Sequence, residues 1–150
     1  MPLSAPWSAW SAGRRDDDST AAQDDVERTE ACPMAKTLFI LNDPPYGTER
    51  NYNALRLAAS LAKREGEQVR VFLIGDAASA AKAGQKVPQG YYNIEVMLRS
   101  VARHGGEIGA CCACMDARGI ADSELSDATH RSSLDQLTDW TQWADKVLVF

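Results

Sequence analysis

The run Thr37-Leu38-Phe39-Ile40-Leu41 constrains this chain more than any other feature, because five consecutive uncharged residues, four of them large and apolar, leave no face for water. A strand with one wet face alternates apolar and polar residues, whereas a strand covered on both faces of a parallel sheet reads as a continuous apolar run. A second run, Gln68 to Ile74, carries Val69, Val71, Phe72, Leu73 and Ile74. Between the two, Tyr52, Leu55, Ala58, Ala59 and Ala62 fall at helical spacing after a start near Glu49. Lys63 and Arg64 suit a helix C-terminus, and Gly66 supplies a left-handed stop. Strand, helix, strand in this rhythm predicts a βαβ unit.

The rest of the chain repeats that alternation. Asp76 is placed to cap a short Ala-rich helix that stops at Gly84, and Gln85 to Tyr91, with Pro88 and Gly90, is a loop. Ile94, Met97, Leu98 and Val101 occupy one helical face, ending at Arg103-His104-Gly105-Gly106. Glu107 to Cys111 reads as a third strand, followed by weak helical signals that stop at Gly119. Asp127 to Arg131 is expected as a brief fourth strand. Ser132 and Asp135 resemble a capping box for a helix through Leu134, Leu137, Trp140 and Trp143. Lys146 to Phe150 is a last apolar strand, expected inside the sheet or at a subunit contact. The prediction is one α/β domain over residues 34–150, a three-layer α/β/α sandwich with about five mostly parallel strands. In such sheets ligands bind beyond the carboxyl ends of the strands. Three loops are expected there: Asn42 to Thr48, Gly84 to Tyr92, and the stretch beginning at Cys111.

Residues 1–33 have a different character. Their three Arg are outnumbered by seven acidic residues, and Asp16-Asp17-Asp18 has no periodic apolar partner, so a disordered N-terminal extension is expected. Met34 is a candidate for the original start of the domain. Trp7 and Trp10 sit among small polar residues, not in the apolar run of a secretory signal, and no segment has the length of a membrane span. A cytoplasmic location is expected. The net charge is -5, most of it from the first 33 residues, so nothing in the domain argues for nucleic acid or membrane.

The chemistry concentrates in Gly109-Ala110-Cys111-Cys112-Ala113-Cys114-Met115-Asp116-Ala117-Arg118-Gly119, with three of the four cysteines. A thiol between strand and helix faces unpaired backbone N–H groups, which favour thiolate. Cys111 fits that place, and Arg118 adds positive charge if the segment folds back. Cys111 and Cys114 form a C-x-x-C pair in which the first attacks and the second resolves. Cys112 is expected to be buried on the opposite side. A metal site built from these thiolates with His104, His130 or Asp116 is the weaker reading, since a structural zinc site takes two separated ligand pairs. No metal and no cofactor are assigned. Trp140, Trp143, Tyr91 and Tyr92 are candidates for a subunit contact if exposed.

These residues carry a resemblance. Leu41 to Arg50 with Asn53 to Ala58, Gly75-Asp76-Ala77, Gly84 to Pro88 with Gly90 to Asn93, Cys111 to Gly119, and Ala144 to Leu148 together resemble the DsrE/DsrF-like family over nearly all of residues 34–150. The resemblance implies a three-layer fold that assembles as a homotrimer or homohexamer. It also implies a persulfide carrier that takes sulfur from a donor protein and passes it to an acceptor. By position Cys111 matches the sulfur-accepting cysteine, and Cys114 the second thiol of the branch carrying C-x-x-C-M-D-A-R-G. Asn42, Asp43 and Tyr46 are then expected to shape the mouth, and Arg118 to stabilise the anion. Such a protein is a carrier more than a multiple-turnover enzyme. A non-catalytic ligand- or metal-binding oligomer, or a C-x-x-C redox protein, remains the alternative.

Overall fold

Thr37, Leu38 and Phe39 are buried, as a strand covered on both faces requires, and form the middle of β1, Ala35–Leu41. The computed structural model describes residues 34–150; the extension expected over residues 1–33 lies outside the described residues. β1 pairs in parallel with β2, Glu67–Leu73, the two being joined by α1, Arg50–Leu61. Next come a 3₁₀ helix, Gly75–Ala81, then α2, Ile94–Arg103, and β3, Glu107–Cys111. After α3, Cys112–Asp116, follow β4, His130–Ser132, α4, Leu134–Trp143, and β5, Lys146–Val149. The sheet order is β4-β3-β2-β1-β5 and every pairing is parallel.

The two faces of the sheet are unequal. Phe39, Leu41, Val71, Leu73, Ile108 and Ala110 point to one side and pack on Ala54, Leu55 and Ala58 of α1 and Ile94, Leu98 and Val101 of α2. The other side is covered by α4, whose Trp140, 3% exposed, sits against Leu38 and Phe72. Each fully buried Leu or Phe contributes about 1.5–3 kcal/mol relative to exposure, so the double-sided core around β1 and β2 dominates stability. The three-layer α/β/α expectation holds.

Several boundaries move, each for a local reason. α1 ends at Leu61, before Lys63 and Arg64, so those charges do not lie in its last turn. The segment after β2 is 3₁₀, and Asp76 caps nothing; buried Ala77, Ala78, Ala80 and Ala81 let it lie tightly against the core. β4 begins at His130 because Asp127 is used instead to pair with Arg99 at 2.8 Å. The cap of α4 is Ser133, whose side chain accepts from the Gln136 N–H at 3.2 Å; Ser132 ends β4 and its hydroxyl bonds to the Gln136 side chain. β5 is an edge strand, not an interior one, and Val149 is 64% exposed on the α4 side.

Candidate functional site

β1, β2 and β3 end side by side, and the backbone after each makes the corner that holds the cysteines. Gly75, at φ +61, turns the chain out of β2 in a conformation that glycine adopts without strain. Its N–H donates to Cys114 Sγ at 3.2 Å, while the Asn42 carbonyl, just past β1, accepts from the Ala77 N–H at 3.2 Å. Asn42 is itself tied to β5, its N–H and its Nδ2 both donating to the Phe150 carbonyl at 2.9 and 3.1 Å. The Asn42 carbonyl, the Gly75 amide and the Cys114 sulfur therefore share one corner at the carboxyl edge of the sheet.

Cys111 is the last residue of β3 and the N-cap of α3, so its side chain follows strand alternation onto the α4 face, against the Leu38, Phe72 and Trp140 cluster. Cys114 packs on the larger core. Burial pushes the Cys111 thiol above the ordinary cysteine range; the Cys114 thiol adds to the rise, the Cys114 backbone N–H opposes it, and Cys112 adds a little more. The expectation of a lowered pKa at this junction is thus corrected. α3 has five residues, too few for a strong dipole, and desolvation wins. The three thiols are unbridged. Cys112 is half-buried, not buried, and lines a separate open hollow of about 610 Å³ with Arg131, Ser132 and Gln136.

Arg118 does fold back, but its hydrogen bonds go to the Cys114 carbonyl oxygen, at 3.0 Å, and to the Asp76 carboxylate. It clamps α3 to the 3₁₀ helix instead of facing a sulfur. A second clamp joins Asp116 to Arg131, at 2.6 and 2.7 Å, with Asp122 at 3.2 Å on the same guanidinium; the Asp116 partner raises the Arg131 pKa further. Asp76, read from sequence as a helix cap, is thus a member of the site's frame. The signal that marks it is a Gly-Asp pair placed directly after an apolar strand, at the edge where the sheet binds ligands.

Asp43 and Tyr46 serve other ends. The Asp43 carboxylate accepts from Thr48 Oγ1 at 2.8 Å and lies 3.8 Å from Arg50; its carbonyl accepts from Asn51 Nδ2 at 2.6 Å. Tyr46 donates its hydroxyl to Gln85 Oε1 at 2.7 Å, accepts from the Ile94 N–H at 3.3 Å, and stacks on Tyr92. Of the loop residues expected at the mouth, Asn42 adjoins the cysteine corner, whereas Tyr46 lines a hollow of its own. Among the described residues no three His, Cys, Asp or Glu side chains are grouped to hold a metal ion. His104 Nδ1 is engaged by the Ser100 carbonyl at 2.7 Å and His130 Nε2 by Gln136 at 3.2 Å. No helix among these residues is long and apolar enough to cross a membrane.

The sheet has known counterparts. The model of the DsrE/DsrF-like family matches residues 35–150. This chain belongs to the DsrE/DsrF-like family. Protein YchN of Escherichia coli is 40% identical over 118 residues, which cover 78% of this chain and all of YchN. An uncharacterised protein of Methanopyrus kandleri is 34% identical over 111 residues, 74% of this chain and 90% of its own length. The crystal structure of Escherichia coli YchN superposes with a TM-score of 0.69 at 37% identity, over 78% of this chain and all of that one. A Methanobacterium thermoautotrophicum protein of unknown function, MTH1491, shares the fold at 12% identity with a TM-score of 0.58, over 76% of this chain and 98% of its own.

Proposed function

We propose that this DsrE/DsrF-like protein is a sulfur carrier that holds a persulfide on the Cys111–Cys114 pair, in line with a family linked to sulfur relay. The observation that carries the reading is the Gly75 N–H aimed at Cys114 Sγ, because a backbone donor fixed on a sulfur is what a thiolate or perthiolate accepts. Cys111, whose thiol burial pushes above the ordinary cysteine range, is then the partner, so the roles are exchanged relative to those implied by position alone.

The chemistry balances without an external oxidant. The Cys114 thiolate attacks the outer sulfur of a donor persulfide, a new S–S bond forms, the donor S–S bond breaks, and the donor leaves as thiolate. A persulfide is more acidic than a thiol, so the product is anionic at neutral pH. An acceptor thiolate then attacks the outer sulfur and releases the Cys114 thiolate. If Cys111 loses its proton to solvent and attacks Cys114 Sγ instead, hydrosulfide departs and a disulfide remains, which a dithiol must reduce before another round. Arg118 and Asp76 hold α3 so that Cys114 stays against Gly75. The donor and acceptor are proteins, the carrier works in the cytoplasm, and it assembles with copies of itself as a trimer or hexamer.

The test is intact mass after exposure to a small persulfide donor, for the parent protein, Cys111→Ser and Cys114→Ser. A reductant-labile gain of about 32 Da in the parent and in Cys111→Ser, absent in Cys114→Ser, is expected. Equal sulfur uptake by Cys114→Ser and the parent refutes the assignment. A loss of about 2 Da that needs both cysteines, with no gain of about 32 Da in Cys111→Ser, replaces it with redox chemistry.

A further inference from the structure

The segment between the 3₁₀ helix and α2 builds something the sulfur chemistry does not use. Tyr46, Lys86, Val87, Pro88, Tyr91 and Tyr92 line a hollow of about 370 Å³, within the range of small-molecule sites. Its walls are preset by hydrogen bonds. The Tyr46 hydroxyl bonds to Gln85 and Ile94, the Gln85 N–H donates to buried Glu95 at 2.9 Å, Asn93 Nδ2 donates to the Gln85 carbonyl at 2.9 Å, and the Tyr91 N–H donates to the Pro88 carbonyl at 3.1 Å. Tyr92 is wedged between Tyr46 and Tyr52, at ring separations of 5.8 and 4.5 Å. Tyr91 is left 71% exposed beside Gly90, at φ +89, so one large aromatic face has no aromatic partner among the described residues, in a loop that is otherwise pinned.

Charge decides what fits. A cluster of tyrosines by itself suits a cation as readily as a flat aromatic. Lys86 lines the same hollow and makes no ion pair among the described residues, so a cationic guest is repelled and an anionic one is attracted. We propose that this hollow is a binding site for a small planar aromatic carboxylate, its ring against Tyr91 and its carboxylate beside the Lys86 ammonium. The site is separate from the cysteine corner and does not depend on the persulfide reading.

The test is a two-dimensional amide NMR titration of the full chain at low salt with 2-naphthoate, 2-naphthylmethanol and 2-naphthylmethyl-trimethylammonium. Saturable shifts are expected in Tyr46 and in residues 85–93. The carboxylate should bind about threefold to fivefold tighter than the alcohol, the advantage of one partly exposed ion pair, and the ammonium weakest. Lys86→Gln should bring carboxylate and alcohol to equal affinity, and Tyr91→Ala should weaken both. The Cys111→Ser/Cys114→Ser double variant should bind like the parent, so failure here and failure of sulfur uptake are separate results. Shifts that do not saturate, shifts centred elsewhere, tightest binding of the ammonium, or a carboxylate preference that survives Lys86→Gln would each overturn the proposal.

Discussion

Gly109 sits in β3 two residues before Cys111, on the face that meets α4, and has no room for a side chain. A Cβ there would lie 2.9 Å from Ser132 Cβ, 3.0 Å from Ser132 Oγ and 3.2 Å from Trp140 Cη2. Carbon atoms rest at about 3.5–4.0 Å, so Gly109→Ala forces two elements to yield by several tenths of an ångström at once. Neither yields freely. β4 is registered on β3 through Gly109↔His130, Ala110↔Arg131 and Cys111↔Ser132, and Trp140 is pressed edge-on against Phe72. Overpacking of this kind destabilises by about 1–3 kcal/mol, and the stiffer unfolded chain returns about 0.4–1 kcal/mol, leaving a net loss of roughly 1–2 kcal/mol. For a domain of roughly 120 residues that lowers the melting temperature by about 4–8 °C. Thermal unfolding followed by circular dichroism reads the shift, and iodoacetamide labelling of Cys111 should quicken as the end of β3 loosens. A melting temperature within about 1 °C of the parent would refute the close packing of β4 and α4 on this strand.

Three further outcomes follow from the frame around the cysteines. Asp76→Asn breaks an exposed ion pair, so it should change stability by less than about 1 kcal/mol, yet sulfur uptake should fall severalfold because α3 loses its clamp; unchanged uptake in the mass assay removes Asp76 from the site. Asn51→Ala deprives the Asp43 and Pro44 carbonyls of a fully buried donor, at about 1–3 kcal/mol, and hydrogen exchange should quicken across residues 42–48; a urea midpoint equal to the parent's would contradict it. The raised Cys111 pKa means that the unfolded chain loses this proton first on alkalinisation. Its contribution to stability is therefore full below the free-cysteine range and lost as pH climbs through the folded value. Urea midpoints from pH 7 to 10 should fall less steeply for Cys111→Ser than for the parent, and parallel curves would show that burial does not act on this thiol.

What the sequence made legible was set by burial. β3 and the double-covered runs of β1 and β2 were readable, to within two residues, because an apolar strand between glycine or loop signals has few other places to go. The site was legible only at its centre. Cys111 and Cys114 both lie at the carboxyl edge, but strand alternation sends Cys111 to the α4 face, where burial raises its pKa, and that depends on Trp140 far along the chain. The donor aimed at Cys114 is a main-chain N–H, which no residue type announces. Asp43 and Tyr46 were grouped with the cysteines by loop membership, yet their partners, Thr48 and Gln85, are fixed by the local path of each loop. Ser132 and Ser133 are chemically equivalent as caps; the register of β4 decides between them.

The edge position of β5 also sets the order in which this chain can be completed during synthesis. β1 and β2 are close in sequence and can associate early, but the outer edge of β1 waits for Lys146–Val149, more than a hundred residues later. Until then its N–H and C=O groups, from Thr37 to Ile40, stand open to any extended segment that passes. On the ribosome the nascent sheet must therefore hold an unpaired, strongly apolar margin for most of its emergence. A slow codon or a stalled ribosome before Lys146 would lengthen that interval and, with it, the exposure of the growing polypeptide to aggregation.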